Sequence, residues 1–160
     1  MMRLLEGFES CPERVAFIID GLSMTYGELD RRSAAYAAAL CERGLSAGDR
    51  VAVQSGSSPQ LLITLLGHLR SGIVHVPINT RYRGEEVGHI LTDSGASLVL
   101  FDGAAPAGQV ATSQGRPRLA MEALPTSTAT PPGAPDGDPT ATLIYTSGTT
   151  GSPKGALLTH

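Results

Sequence analysis

The sequence is short of cysteine, has no surplus of positive charge and contains no long unbroken apolar run, and each shortage removes a class of function. Twelve Lys and Arg stand against 15 Asp and Glu, a formal net charge of -3. No global basic field exists to hold nucleic acid, so any phosphate must be gripped locally. The most apolar region, "LLITLLGHLRSGIVHVPI", is interrupted by His68 and Arg70, short of the roughly 18 unbroken residues that suggest a membrane span. The start, "MMRLLEGFESCPERV", offers only Leu4 and Leu5 before charge resumes, which is no secretory core. Without an export signal, Cys11 and Cys41 are expected to stay reduced thiols. Together these shortages favour a cytoplasmic protein. What remains, 160 residues at 41% hydrophobic and 17% charged, is enough for one sizeable core.

The apolar pattern alternates between strand and helix periods. "VAFIIDGLSMTY" carries Asp20-Gly21 between two apolar runs, which predicts a β-hairpin. In "TYGELDRRSAAYAAALCERG", Thr25 and Glu28 have capping-box spacing, Leu29, Tyr36 and Leu40 share a helical face, and Gly44 suits a left-handed exit. "DRVAVQS" reads as a strand, and "SSPQLLITLLGHLRSG" as a helix capped by Ser58, begun by Pro59 and apolar on nearly every face. "GIVHVPIN" is a further strand, "RGEEVGHILTDSG" a helix with Val87, Ile90 and Leu91 inward, and "ASLVLFD" another strand. The order β-α-β-α-β, with connections long enough to cross over, predicts an α/β fold of largely parallel strands behind an N-terminal hairpin.

Composition divides the chain at two places. Residues 1–102 form the α/β portion, and 103–139 are rich in Ala, Gly, Pro, Ser and Thr. That connection reads mostly as a surface excursion in which only "RLAMEAL" looks helical, with room for one weak strand or short helix. Residues 140–160 return to order through "TATLIYTS" and run into a glycine loop. No internal repeat is visible.

The loop, "YTSGTTGSPKGALLTH", concentrates the chemistry. Gly148, Gly151 and Gly155 give backbone freedom to point successive N–H groups into one concavity. Thr146, Ser147, Thr149, Thr150 and Ser152 add hydroxyl donors, and Lys154 adds a compact positive charge behind the stiff Pro153. The pattern is not a Walker loop, because Lys154 follows Pro153 and precedes Gly155, and no G-x-G-x-x-G is present.

The whole string resembles the phosphate-loop signature of the adenylate-forming superfamily, which includes AMP-forming acyl-CoA synthetases, luciferases and the adenylation domains of peptide synthetases. "MTYGEL", "GLSAGDRVAV", "SGIVHVPIN" and "EEVGHILTDSGASLVLF" are similar in order and spacing to the N-terminal part of these enzymes, so the resemblance runs from Glu13 to His160. It implies the N-terminal portion of a large adenylate-forming domain, incomplete at this length. It also implies that Thr146, Ser147, Gly148, Thr149, Thr150, Gly151, Ser152 and Lys154 hold the β- and γ-phosphates of ATP, with Mg2+ sharing the task. A carboxylic acid would be activated as an acyl adenylate and passed to a thiol, most often coenzyme A. The adenine segment, the ribose-holding aspartate and the catalytic lysine of the family's mobile C-terminal domain all lie downstream of this loop in the family's order. No catalytic residue is therefore expected in this chain, the chain alone is expected to be inactive, and coenzyme A would be bound by residues it does not contain. "EEVGHILTDSGASLVL" looks more like acyl-CoA synthetases, including malonate-activating ones, than like amino-acid activators. Two other readings stand beside this one, a non-catalytic relic or phosphate-binding module and the front of a peptide-synthetase adenylation domain.

Other polar residues invite structural explanations. His68, His75, His89 and His160 show no metal-ligand spacing, so no metal site is assigned. Glu85 and Glu86 suit the first turn of a helix, where the macrodipole favours acid, and Asp136 and Asp138 suit solvated turns. Marginal folding is expected, with the final strand left as an unpaired edge.

Overall fold

The computed structural model describes residues 8–103, 105–130, 140–146 and 153–159. A hairpin of β1 (Val15–Ile19) and β2 (Leu22–Thr25) turns at Asp20 and Gly21, whose φ angles of 50° and 78° match the turn that an Asp-Gly pair favours. Thr25 then caps α1 (Tyr26–Glu42) by accepting from the Glu28 N–H at 3.2 Å. Gly44 takes the chain out at φ 85°. After β3 (Arg50–Gln54), Ser58 caps α2 (Pro59–Ser71) in the same way through the Leu61 N–H, and Gly72 closes it in the left-handed region. β4 (Val74–Pro77), α3 (Gly84–Asp93) and β5 (Leu98–Phe101) follow in the expected order.

β3, β4 and β5 pair in parallel within a six-stranded sheet that β6 (Arg118–Ala120), β7 (Thr140–Thr146) and β8 (Lys154–Thr159) complete, in the order β6-β5-β3-β4-β7-β8. Both outer members after β5 add to the sequence reading. The small-residue segment from Gly103 onward carries α4 (Pro106–Ser113), and "RLAMEAL" supplies the parallel strand β6 (Arg118–Ala120) and a short 3-10 turn, Met121–Ala123. Small residues suffice for α4 because its inner side is pressed against a ring. A Cβ on Gly108 would stand 2.7 Å from Phe101 carbons. β7 (Thr140–Thr146) pairs in parallel with β4 at His75↔Thr142, and β8 (Lys154–Thr159) returns antiparallel to it.

Alternation along the strands divides the core between the two faces. Val51, Val53, Leu98 and Leu100 pack with Tyr36 and Leu40 of α1 and Ile63 of α2. Ala52, Val74, Val76 and Val99 pack with Val87, Ile90 and Leu91 of α3 and with Ala107 and Ala111 of α4. Helices thus cover both faces, and the carboxyl ends of β3, β4 and β7 open on one side of the sheet, where ligands of open α/β sheets bind. Although apolar on nearly every face, which favours burial, α2 keeps Leu61, Leu62, Leu65 and Leu66 half-buried and places Thr64, His68 and Ser71 in buried positions. The reason is its close approach to α1. At Gly67 a Cβ would come 2.4 Å from the Tyr36 ring.

Candidate phosphate-binding hairpin

The glycine loop joins β7 to β8, and Thr146 and Lys154 form the last cross-strand pair before it. Both are exposed. Ser147, Gly148, Thr149, Thr150, Gly151 and Ser152 lie outside the described residues, as do Asp136, Asp138 and His160. The hairpin therefore brings two of the eight expected phosphate-binding residues together at the carboxyl end of the parallel strands. Neither ion pair among the described residues, Arg32–Glu28 and Arg70–Asp30, involves Lys154. Its ammonium is available for an anion, and the β-pairing explains how a flexible side chain starts from a fixed point.

Helix α3 holds the base of this hairpin at two places. The Tyr145 hydroxyl donates to Asp93 Oδ2 at 2.6 Å, and His89 Nε2 donates to the Pro153 carbonyl at 2.9 Å. A carbonyl only accepts, so His89 carries its proton on Nε2. The two rings meet edge to face, with centroids 6.4 Å apart and planes at 87°. Burial, and after it the Asp93 carboxylate, raises the Tyr145 hydroxyl above its usual pKa and keeps it a donor. Gly155 lies in β8 rather than in a turn, and its backbone is not in the positive-φ region. Its lack of a side chain has another use. A Cβ there would stand 2.8 Å from Leu143 Cδ1 and 3.3 Å from Tyr145 Cζ, so glycine lets the Tyr145 ring lie across β8.

The neighbouring strand ends are tied by Gln54. Its Nε2 donates to the carbonyls of Asn79 and Tyr82 at 3.0 and 3.2 Å, and its Oε1 accepts from the Ala107 N–H at 2.8 Å. The three side-chain bonds of this fully buried amide secure the loop after β4 and the first turn of α4 at the carboxyl end of the sheet. Asp102 adds a bond to the Gly56 N–H at 2.7 Å. Glu86 accepts from the Arg83 N–H at 2.8 Å and Glu85 is exposed in the same first turn, which gives both the structural duty read from the sequence.

Two histidines belong to the core instead of the hairpin. The Tyr36 hydroxyl meets His68 Nε2 at 2.9 Å, and His68 Nδ1 meets His75 Nδ1 at 2.9 Å, all three side chains being buried. Burial holds His75 down at about 4, and burial followed by the nearby His75 holds His68 well below its usual value. Among the described residues, no three His, Cys, Asp or Glu side chains converge as metal ligands. Cys11 and Cys41 are both free thiols. Two surface cavities of about 430 and 460 Å³ lie at the amino ends of the strands, away from the hairpin tip.

Sequence reasoning placed the loop but not its anchors. His89 and Asp93 are four apart on α3, so one helical face carries both, and that spacing was the available signal. Gly155 was read as a source of loop freedom, whereas the structure uses it for clearance.

Comparisons with known proteins follow this geometry. The family model for AMP-binding enzyme matches residues 6–160. A feruloyl-CoA synthase from Amycolatopsis sp is 40% identical over 151 residues, covering 93% of this chain and 31% of that protein. Syringomycin synthase SyrB1 from Pseudomonas syringae pv. syringae is 38% identical, covering 93% of this chain and 24% of that protein. Among solved structures, the O-succinylbenzoate coenzyme A synthetase MenE from Bacillus subtilis, in complex with AMP, superposes with a TM-score of 0.86 at 27% identity. That match covers 98% of this chain and 41% of MenE. The N-terminal subdomain of Klebsiella oxytoca NpsA, in complex with anthranilyl-AMSN, gives a TM-score of 0.81 at 31% identity over 97% of this chain and 39% of that one. The chain thus spans less than a third of the length of these curated relatives. No helix among the described residues is long and apolar enough to cross a membrane.

Proposed function

The chain belongs to the AMP-binding enzyme family, and from that premise we propose that it supplies the ATP-phosphate grip of an AMP-forming acyl-CoA synthetase. The observation that carries the reading is the Thr146–Lys154 pair, exposed at the carboxyl end of the sheet and free of any ion pair among the described residues. Thr146 and Lys154, with Ser147, Gly148, Thr149, Thr150, Gly151 and Ser152 between them, would hold the β- and γ-phosphates. When a carboxylate attacks the α-phosphorus, negative charge grows on the departing pyrophosphate. An ammonium and hydroxyl donors held near that charge help most at that moment, because stabilisation that grows with the charge lowers the barrier. Mg2+, when bound, supplies further neutralisation of the same charge. The activated acyl group would then pass to coenzyme A.

The feruloyl-CoA synthase likeness supports the acyl-CoA reading, and the similar likeness to SyrB1 keeps amino-acid activation as the second reading. On either, the chain by itself is expected to give no carboxylate-dependent exchange of pyrophosphate into ATP. A chimera tests the assignment. Residues 8–160 would replace the matching part of the Amycolatopsis feruloyl-CoA synthase, and ferulate-dependent exchange would be measured. Exchange that survives in the chimera and disappears with Lys154→Met supports the phosphate role. Exchange unaffected by Lys154→Met overturns it.

A further inference from the structure

We propose that His89 and Asp93 of α3 are positioning residues that clamp the glycine loop at both of its ends, an inference that rests on the phosphate reading for its ligand. The two residues lie one helical turn apart and engage opposite sides of the loop. Asp93 takes the Tyr145 hydroxyl just before the loop, and His89 takes the Pro153 carbonyl just after it. Residues 146–152 are bracketed between these bonds. Lys154 follows Pro153 directly, so the His89 bond holds the backbone from which the lysine side chain starts.

The chemistry of the two positions is hard to explain by helix stability alone. A carboxylate in the last turn of a helix opposes the macrodipole, which favours a cation there. Arg50 offsets this from another strand, with Nε on the Ser94 carbonyl at 2.9 Å and Nη2 on the Gly95 carbonyl at 2.7 Å. Asp93 itself accepts from Tyr145. Apolar side chains on the same face would cover the hairpin without setting where its base sits against α3, whereas hydrogen bonds set angle and distance. The Pro153 side is buried while Lys154 is exposed, so the clamp stops one residue short of the group that meets solvent. The helix is itself braced, because Gln114 Nε2 donates to the Gly88 carbonyl at 3.3 Å from α4. Donors positioned before the ligand arrives lose less freedom on binding, which is how a remote clamp raises affinity.

The test combines a ligand measurement with a ligand-free one. MgATP and inorganic tripolyphosphate are titrated calorimetrically into the chain and into His89→Leu, His89→Gln and Tyr145→Phe. Amide exchange is followed by mass spectrometry in residues 144–146, 154–156 and 98–101. His89→Leu and Tyr145→Phe should each weaken both ligands about twofold to tenfold, the range expected for one lost hydrogen bond. Exchange should quicken at 144–146 and 154–156 and stay unchanged in β5. His89→Gln, which keeps an N–H donor, should recover most of the affinity. Equal affinity in all variants, or quickening spread equally into β5, overturns the clamp. A wild-type chain that binds neither ligand overturns the phosphate reading instead, and the exchange pattern then decides the clamp by itself.

Discussion

Gly155 stands directly opposite Tyr145 in the β7–β8 ladder, and the space its missing Cβ leaves is filled by the Tyr145 ring and Leu143. Glycine inside a strand usually weakens it, so alanine at such a site would ordinarily add stability. Here the sign reverses. Leu143 Cδ1 is the free end of a side chain and can retreat, but the Tyr145 ring is held through Asp93. Gly155→Ala should therefore destabilise by about 1 kcal/mol in urea unfolding. Leu143→Ala in the same chain should relieve part of that loss. An alanine variant as stable as the parent would show that the ring is not held.

Gly67 gives a second reversal, at the α1–α2 contact. Alanine in a helix interior is ordinarily favoured over glycine by about 1 kcal/mol. A Cβ at this position would meet Tyr36 Cδ1 at 2.4 Å and the Ser33 carbonyl at 3.2 Å. Gly67→Ala should cost about 2 kcal/mol by forcing the helices apart. It should also disturb the Tyr36–His68 bond, visible as a change in tyrosine absorbance. A stabilised variant would contradict the packing.

The buried histidines make stability depend on pH. His75 is pushed down to about 4 and His68 lies well below its usual value, in each case because burial disfavours the charged ring. In the unfolded chain both take up protons near pH 6.5. The folded state binds fewer protons below that point, so the contribution is complete above about pH 6.5 and is lost as pH falls toward 4. Each differential proton is worth about 1.4 kcal/mol per pH unit. The urea midpoint should fall between pH 7 and pH 5, and His75→Gln should make that fall shallower. A midpoint flat across the interval would mean that the rings are not buried neutral.

Most of the scaffold could be read from local signals because those signals act over a few residues. The Asp20-Gly21 turn, the Thr25 and Ser58 caps and the inward Val87, Ile90 and Leu91 all stand where the spacing puts them. α4 was hidden because Ala107, Gly108 and Ala111 carry little apolar surface, and their burial depends on Phe101 of a strand already in place. "RLAMEAL" has the residues of a helix, yet pairing of Leu119 with Leu100 decides for a strand. β8 was missed because "KGALLT" has no apolar-polar alternation, and only its pairing with β7 makes it a strand. The ladder from Thr146↔Lys154 to Thr140↔Thr159 gives β7 a second neighbour and leaves β8 as the sheet's edge. The four-residue spacing of His89 and Asp93 is the one local sign of the loop's anchors, and it does not say what they hold. Tyr145 and Asp93 are far apart in the chain, and only the sheet order brings them together.

In the proposed function, Lys154, exposed at the paired end of β8, grips the phosphates of ATP. Calorimetric titration of MgATP into the chain and its Lys154→Met variant tests this most directly. The parent should bind saturably and the variant at least about tenfold more weakly because a charge-assisted bond is lost, with the melting temperature unchanged because Lys154 is exposed. No saturable binding by the parent, or equal affinity in the two proteins, would contradict it.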